Sequence, residues 1–241
     1  MSAEREPYEV PKPDRDDQIV TGIRAVASLV PVVSGPALEI LNSLFSRPIE
    51  MRRDEWMAEV ADGLRKLERE GITIETLQDN ESFVSTVLHA TQAALRTHQA
   101  EKRRALSNAL VNSARPGAPE DALQHIFVNF VDELTAWHLR LLSLLGNPTR
   151  LAALYERFIG RLTNGTMSTV IEGEYPELAG RQRFYAQLLQ DLYNRGLLSE
   201  EADLPFGGLR GGQHLLPPDA FRIDRTTWLG RQFLSFVAES S

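Results

Sequence analysis

Cysteine is absent from this chain of 241 residues, which removes disulfides, thiolate metal sites and a thiol nucleophile at once. Lysine is nearly absent. Lys12, Lys66 and Lys102 stand among 26 basic residues, the rest of which are arginine, the residue whose planar fork suits ion pairs and phosphate contacts. Positive charge is not in excess either: the formal net charge is -7, so no global field draws the protein to nucleic acid or to anionic lipid, and any such contact must come from a local patch. No apolar run reaches the roughly 20 residues of a membrane span. No secretory signal pattern stands at the start, so the expected location is cytoplasmic. What is present is ordinary globular composition, 42% hydrophobic and 24% charged, in a chain long enough for one large or two small domains.

Residues 1–17 hold Pro7, Pro11 and Pro13 among six acids and three bases and read as a flexible acidic tail. Fourteen uncharged residues follow a little later, from Ala25 to Leu38. Ile19, Ile23, Val26, Ala27 and Val30 keep helical spacing up to Pro31, and Leu38, Leu41, Leu44 and Phe45 form a second short stripe after Gly35-Pro36. The spacing predicts a hydrophobic hairpin of two short helices over 19–46. Val26, Leu29, Val32, Val33, Leu38 and Leu41 are its candidate partner or membrane surface, because exposed apolar runs mark interaction sites. Core or oligomer interface is the ordinary use of such a segment; a membrane contact would place the protein peripherally at the inner membrane.

Arg52 to Glu70 reads as a helix with Trp56, Val60, Leu64 and Leu67 on one face and Gly71 as its stop. A longer helix is predicted over 81–114, carrying Phe83, Val87, Ala90 and Ala94, then Leu106 and Leu110, and Pro116-Gly117-Ala118-Pro119 breaks it. Leu123, Phe127, Phe130, Leu134, Trp137, Leu141 and Leu144 then alternate spacings of four and three, a heptad-like seam predicting one helix packed nearly parallel to its neighbours. The expectation for 18–146 is therefore an α-helical bundle.

The rhythm changes after Pro148. Helices are predicted at 148–160, at 167–175 and at 181–195, where Phe184, Leu188, Leu189 and Leu192 make the core face. Gly196-Leu197-Leu198 and Phe221-Arg222-Ile223-Asp224 are candidate strands around a Gly/Pro-rich stretch at 199–220, and Thr226-Thr227 caps a final helix. That order predicts a winged-helix-like α+β module over 147–241. The fold class expected of the whole is mainly α, an N-terminal helical bundle followed by that module.

In a winged helix one helix enters the major groove and the wing touches phosphates. Arg181, Arg183, Gln187, Asn194 and Arg195, with Arg210 on the wing, are the candidate nucleic-acid contacts. Asp191 sits among them, however, and residues 149–241 carry ten arginines against eleven acids, where a DNA-binding module normally shows a basic footprint. Gly207 to Gly212 lacks the Lys-Ser/Thr pair of a phosphate-binding loop. His125, Asp132, Glu133 and His138, with His89 and His98 upstream, lack metal-ligand spacing and read as packing residues. Arg96, His98, Lys102, Arg103 and Arg104 form the most basic stretch, expected to be solvated or paired. No catalytic residue, metal, cofactor or small-molecule substrate is predicted, and no enzyme activity.

Arg52-Arg53-Asp54-Glu55-Trp56 after a Pro/Gly-containing apolar segment, and Lys102-Arg103-Arg104-Ala105-Leu106-Ser107-Asn108-Ala109-Leu110, resemble uncharacterised bacterial helical proteins. Asp191-Leu192-Tyr193-Asn194-Arg195-Gly196-Leu197-Leu198, then Thr227-Trp228-Leu229-Gly230-Arg231-Gln232-Phe233-Leu234, are similar to their C-termini. The nearest named group is the abortive infection alpha family. The resemblance is one of layout and carries over no functional residue; it implies a bacterial intracellular protein in phage defence or a similar stress response. The function expected is non-enzymatic binding and regulation through a protein partner or a homo-oligomer. The alternatives are a membrane-associated effector inserting the 19–46 hairpin and a DNA-binding regulator using the C-terminal module.

Overall fold

The computed structural model describes residues 35–160, 164–199 and 215–239, with side chains described from Pro48 onward. The chain divides into two compact units, 1–54 and 55–241, and the boundary expected at 146–147 falls inside the second. The described residues are mainly α: α1 (Gly35–Arg69), α2 (Ile74–Gln78), α3 (Glu81–Arg96), α4 (Ala100–Ser113), α5 (Asp121–Glu133), α6 (Ala136–Leu145), α7 (Pro148–Phe158), α8 (Met167–Glu174), α9 (Gln182–Asn194) and α10 (Trp228–Val237). Short 3-10 turns stand at Pro176–Leu178 and Pro218–Arg222. Among the described residues no helix is long and apolar enough to cross a membrane.

Three expectations about continuity are corrected. The stripe at 38–45 and the helix at 52–70 are one helix, α1, which runs through Pro48. Proline removes one amide donor and crowds the preceding turn, but good helix formers flank it on both sides. The rest of the predicted hairpin, 19–34, lies outside the described residues. Next, the helix predicted over 81–114 is two, because Thr97 turns extended (φ -97, ψ 140) and its Oγ1 accepts from the Gln99 amide at 3.2 Å. Finally, the heptad-like helix is interrupted at Leu134 and Thr135, both extended. Its seam nevertheless faces inward throughout: Phe127, Leu134, Leu141 and Leu144 are buried, and Leu123, Phe130 and Trp137 pack against them.

In the second unit α3 packs on α4 and α5, α4 on α5 and α10, and α6 on α7, α9 and α10. From α1, Trp56 is buried and its Nε1 donates to Thr91 Oγ1 at 3.0 Å, while Glu55 and Glu59 flank the buried Arg103 of α4 at 2.7 and 3.7 Å. Gly71 (φ +86) ends α1 where the left-handed turn requires a residue without Cβ.

No strand forms among the described residues. Two isolated antiparallel bridges, Gly165 with Leu216 and Leu198 with Thr226, are what the sheet amounts to. The strand predicted at 196–198 is thus reduced to a single paired residue, and in the one predicted at 221–224 Phe221 and Arg222 close a 3-10 turn while Ile223 is extended but joins no strand. Pro218 opens that turn, Phe221 is buried in it and stacks on Tyr155 at 4.6 Å, and Asp224 Oδ1 folds back to accept from the Thr226 amide at 2.8 Å. Each of these favours a bend over an extended run.

Candidate functional site

Both unexpected breaks lie beside each other, since α3–α4 packs on α5 and the ends of the four helices meet. A broken helix leaves unpaired carbonyls at one end and unpaired amides at the other. Side chains from across the break answer them. Lys102 Nζ donates to the Asp132 carbonyl at 2.7 Å, and the Ala136 amide donates to Gln99 Oε1 at 3.3 Å. Arg96 holds the Asp132 carboxylate at 2.5 Å, and Arg140 pairs with Glu101. Lys102 is only 8% exposed. Burial lowers its pKa, with the Asp132 carboxylate opposing the shift. Of the basic stretch expected to be solvated or paired, Arg96, Lys102 and Arg103 are paired, the last two buried, and Arg104 is exposed.

At the same level α6 begins with Thr135 as its N-cap. The His138 ring turns back so that Nδ1 accepts from the Thr135 amide at 3.1 Å and lies 2.9 Å from Thr135 Oγ1. Thr135-x-x-His138 is thus a capping box with histidine in the place usually held by Glu or Gln. The ring is 6% exposed. Its Nε2 faces Asp191 Oδ2 of α9 at 3.3 Å, inside ion-pair range but off the line of a hydrogen bond. Burial lowers the His138 pKa, Asp191 raises it, and Arg195 and Lys102 lower it further. Arg195 in turn reaches Glu133 at 2.7 Å and Asp191 at 3.6 Å and lies over the Phe130 ring.

This geometry sorts the candidate nucleic-acid residues. Arg181, Arg183, Gln187 and Asn194 are exposed, Arg181 lying over the ring of Phe184 at 4.4 Å. Arg195, in contrast, is half-buried and its guanidinium is engaged by Glu133 and Asp191. Asp191, half-exposed, reaches toward His138 of α6 from the edge of the stripe that carries Arg183, Gln187, Gln190 and Asn194. Arg210 lies outside the described residues, as do Val26, Leu29, Val32 and Val33. Leu38 and Leu41 are helical in α1, and their side chains lie outside the description.

The other clusters are structural. His89 and His125 stack with centroids 4.5 Å apart and planes 27° from parallel. Ring lone pairs lie in the ring planes, so such a stack does not aim two nitrogens at one ion. No group of three or more metal-ligating side chains forms among the described residues. An open groove of about 590 Å³ lies where the 113–119 loop meets the start of α3 and α5. Its polar groups answer one another: Ser82 donates to Asp121, Thr86 donates to Gln124, and Gln124 donates to the Pro119 carbonyl. Sequence reasoning passed over Gln99 and Thr135. The capping-box spacing was the available signal for Thr135; nothing in the sequence singles out Gln99.

Compared with family models, with characterised proteins and with solved structures, the chain matches none.

Proposed function

We propose that this chain is a non-enzymatic binding and regulatory protein that works through protein contacts. The observation that carries the reading is on α3. Val84 and Leu88 stand one turn apart and exposed, Leu88 at 62%, on a helix whose opposite side buries Phe83, Ala90 and Ala94. Isolated exposed leucines are common, but an i, i+4 apolar pair on a helix is an anchor pattern for a partner. A role in phage defence rests on the family resemblance described above. The test is a Val84→Asp, Leu88→Asp double variant, compared with the parent by sedimentation over a range of concentrations and by phage plating on expressing bacteria. Loss of association or of protection, with the fold intact, supports the reading. A parent that stays monomeric and a variant that protects equally well sink it.

The winged-helix-like reading of the C-terminal segment rests on the order of its elements alone, since two isolated bridges stand where a sheet would be. Helix α7, the paired residue Gly165, helices α8 and α9, the paired residue Leu198, and a returning segment that pairs at Leu216 follow one another in that order. Gly165 and Leu216 exchange both amide-to-carbonyl bonds, at 3.0 and 2.7 Å. One observation favours a second reading, DNA binding. The stripe of α9 formed by Arg183, Gln187, Gln190 and Asn194 carries an arginine and three amide side chains, the types that read base edges, with Asp191 at its edge drawn toward His138. Arg183→Ala should then weaken duplex binding that itself falls steeply with salt. No binding at low salt ends this second reading.

A further inference from the structure

We propose that His138 is a protonation latch: neutral, it caps the elbow between α5 and α6 by accepting from the Thr135 amide, and charged, it releases that amide and tightens on Asp191 of α9. The geometry leaves the neutral ring one arrangement. Nδ1 accepts from the Thr135 amide at 3.1 Å, so it carries no hydrogen and the ring proton sits on Nε2, the nitrogen that faces Asp191 at 3.3 Å. Protonation adds a hydrogen to Nδ1, which can no longer accept from the amide and donates instead to Thr135 Oγ1, 2.9 Å away. The Thr135 amide then loses its partner at a helix start, where no carbonyl of the preceding turn replaces it. Meanwhile the imidazolium attracts the Asp191 carboxylate more strongly than the neutral ring does. One proton therefore frees the Thr135 amide and strengthens the ring's hold on α9.

The groups facing the ring set where this happens. Asp191 of α9 favours the charged form; Arg195 of α9 and Lys102 of α4 oppose it, and Glu133 at the end of α5 is engaged by Arg195. Burial adds to the opposition, so the ring protonates on the acid side of 6.5. Beside the elbow lies the bond from the Ala136 amide to Gln99, which links the opening to the break between α3 and α4. Histidine is the side chain suited to such a device, because its charge changes between about pH 5 and 8. The proposal does not depend on which partner the protein binds.

The experiment is an NMR titration of the full chain, labelled with nitrogen-15, from about pH 8 to about pH 5. At the alkaline end His138 is expected as the Nε2–H tautomer. The Thr135 amide shift should follow the His138 midpoint and not that of His89. Its hydrogen exchange, normalised to the intrinsic rate, should quicken by about tenfold or more below that midpoint. Asp191→Asn should move the midpoint to lower pH. His138→Gln keeps the capping-box acceptor without the titration, so Thr135 should stay protected over the whole range. An Nδ1–H tautomer at the alkaline end, or a Thr135 amide that ignores the His138 midpoint, overturns the proposal. So does a pH response of Thr135 that survives in His138→Gln. Should that variant fail to fold, the tautomer and the Thr135 titration of the parent chain still decide.

Discussion

Two seams tie helices α9 and α10 to the helices before them, and they are built from opposite materials. At α10, Phe233 and Phe236 meet Phe127 with ring centroids 5.6 Å apart, and Phe130 meets Phe233 edge-on at 5.7 Å. The end of α10 is then collared by α4: Asn108 donates to the Val237 carbonyl, and Asn112 to those of Phe236 and Ala238 at 2.8 and 3.0 Å. At α9 the seam is ionic, running from His138 through Asp191 and Arg195 to Glu133. Aromatic burial is insensitive to pH and salt, whereas charge pairs at a half-exposed edge contribute little and respond to both. The comparison teaches a division of labour: the aromatic seam supplies cohesion and the ionic seam supplies orientation and titration.

Four substitutions rank the seams. Phe127→Ala removes the ring shared by both phenylalanines of α10 and should cost about 3–5 kcal/mol in denaturant-monitored unfolding. Gly230→Ala comes next. A Cβ there would stand 2.2 Å from the Leu197 carbonyl oxygen, a backbone atom that cannot step aside alone, and the expected loss is about 2–3 kcal/mol by the same measurement. Asn112→Ala strips donors from the end of α10 and should cost about 1–2 kcal/mol, with faster exchange confined to its last turn. Arg195→Ala breaks the ionic seam and should cost about 1 kcal/mol or less, shrinking further in high salt. An Arg195→Ala loss as large as that of Phe127→Ala would erase the distinction.

A pH series sharpens the same contrast. His89 and His138 both have lowered pKa values, mainly through burial. The unfolded chain therefore binds these protons first as pH falls through about 6.5, and stability drops from there toward the folded values while staying intact above. Unfolding midpoints at about pH 8 and about pH 5 should differ in that direction. The drop should be smaller in His138→Gln.

Much of the fold was legible because apolar spacing reports burial directly. The break at 116–119 and the cap at Thr227 stand where punctuation put them, and Leu188, Leu189 and Leu192 of α9 face inward as their spacing implies, but Phe184, expected beside them, is exposed and Tyr185 takes the buried place. What escaped was continuity. The seam from Leu123 to Leu144 stays in register across Thr135, so periodicity alone reads one helix where there are two. The interruption is made by polar partners distant in sequence, such as Gln99 for the Ala136 amide, and a periodicity cannot report them. The opposite miss is at α1, where two apolar stripes read as separate helices are one continuous helix through Pro48. The ionic seam was half legible. Asp191 was visible as an acid among candidate DNA contacts, but only the packing of α9 on α6 shows which way it turns.

The collar on α10 also bears on the order in which the molecule is assembled. Asn112 and Phe236 lie 124 positions apart, and chains are made from the N-terminus onward. While α4 and α5 are already present, the place for Phe233 and Phe236 against Phe127 is still vacant, and loop closure over such a span is slow. The nascent protein thus carries an unfilled aromatic slot for more than a hundred residues of synthesis. The helix that fills it works as a keystone, set last.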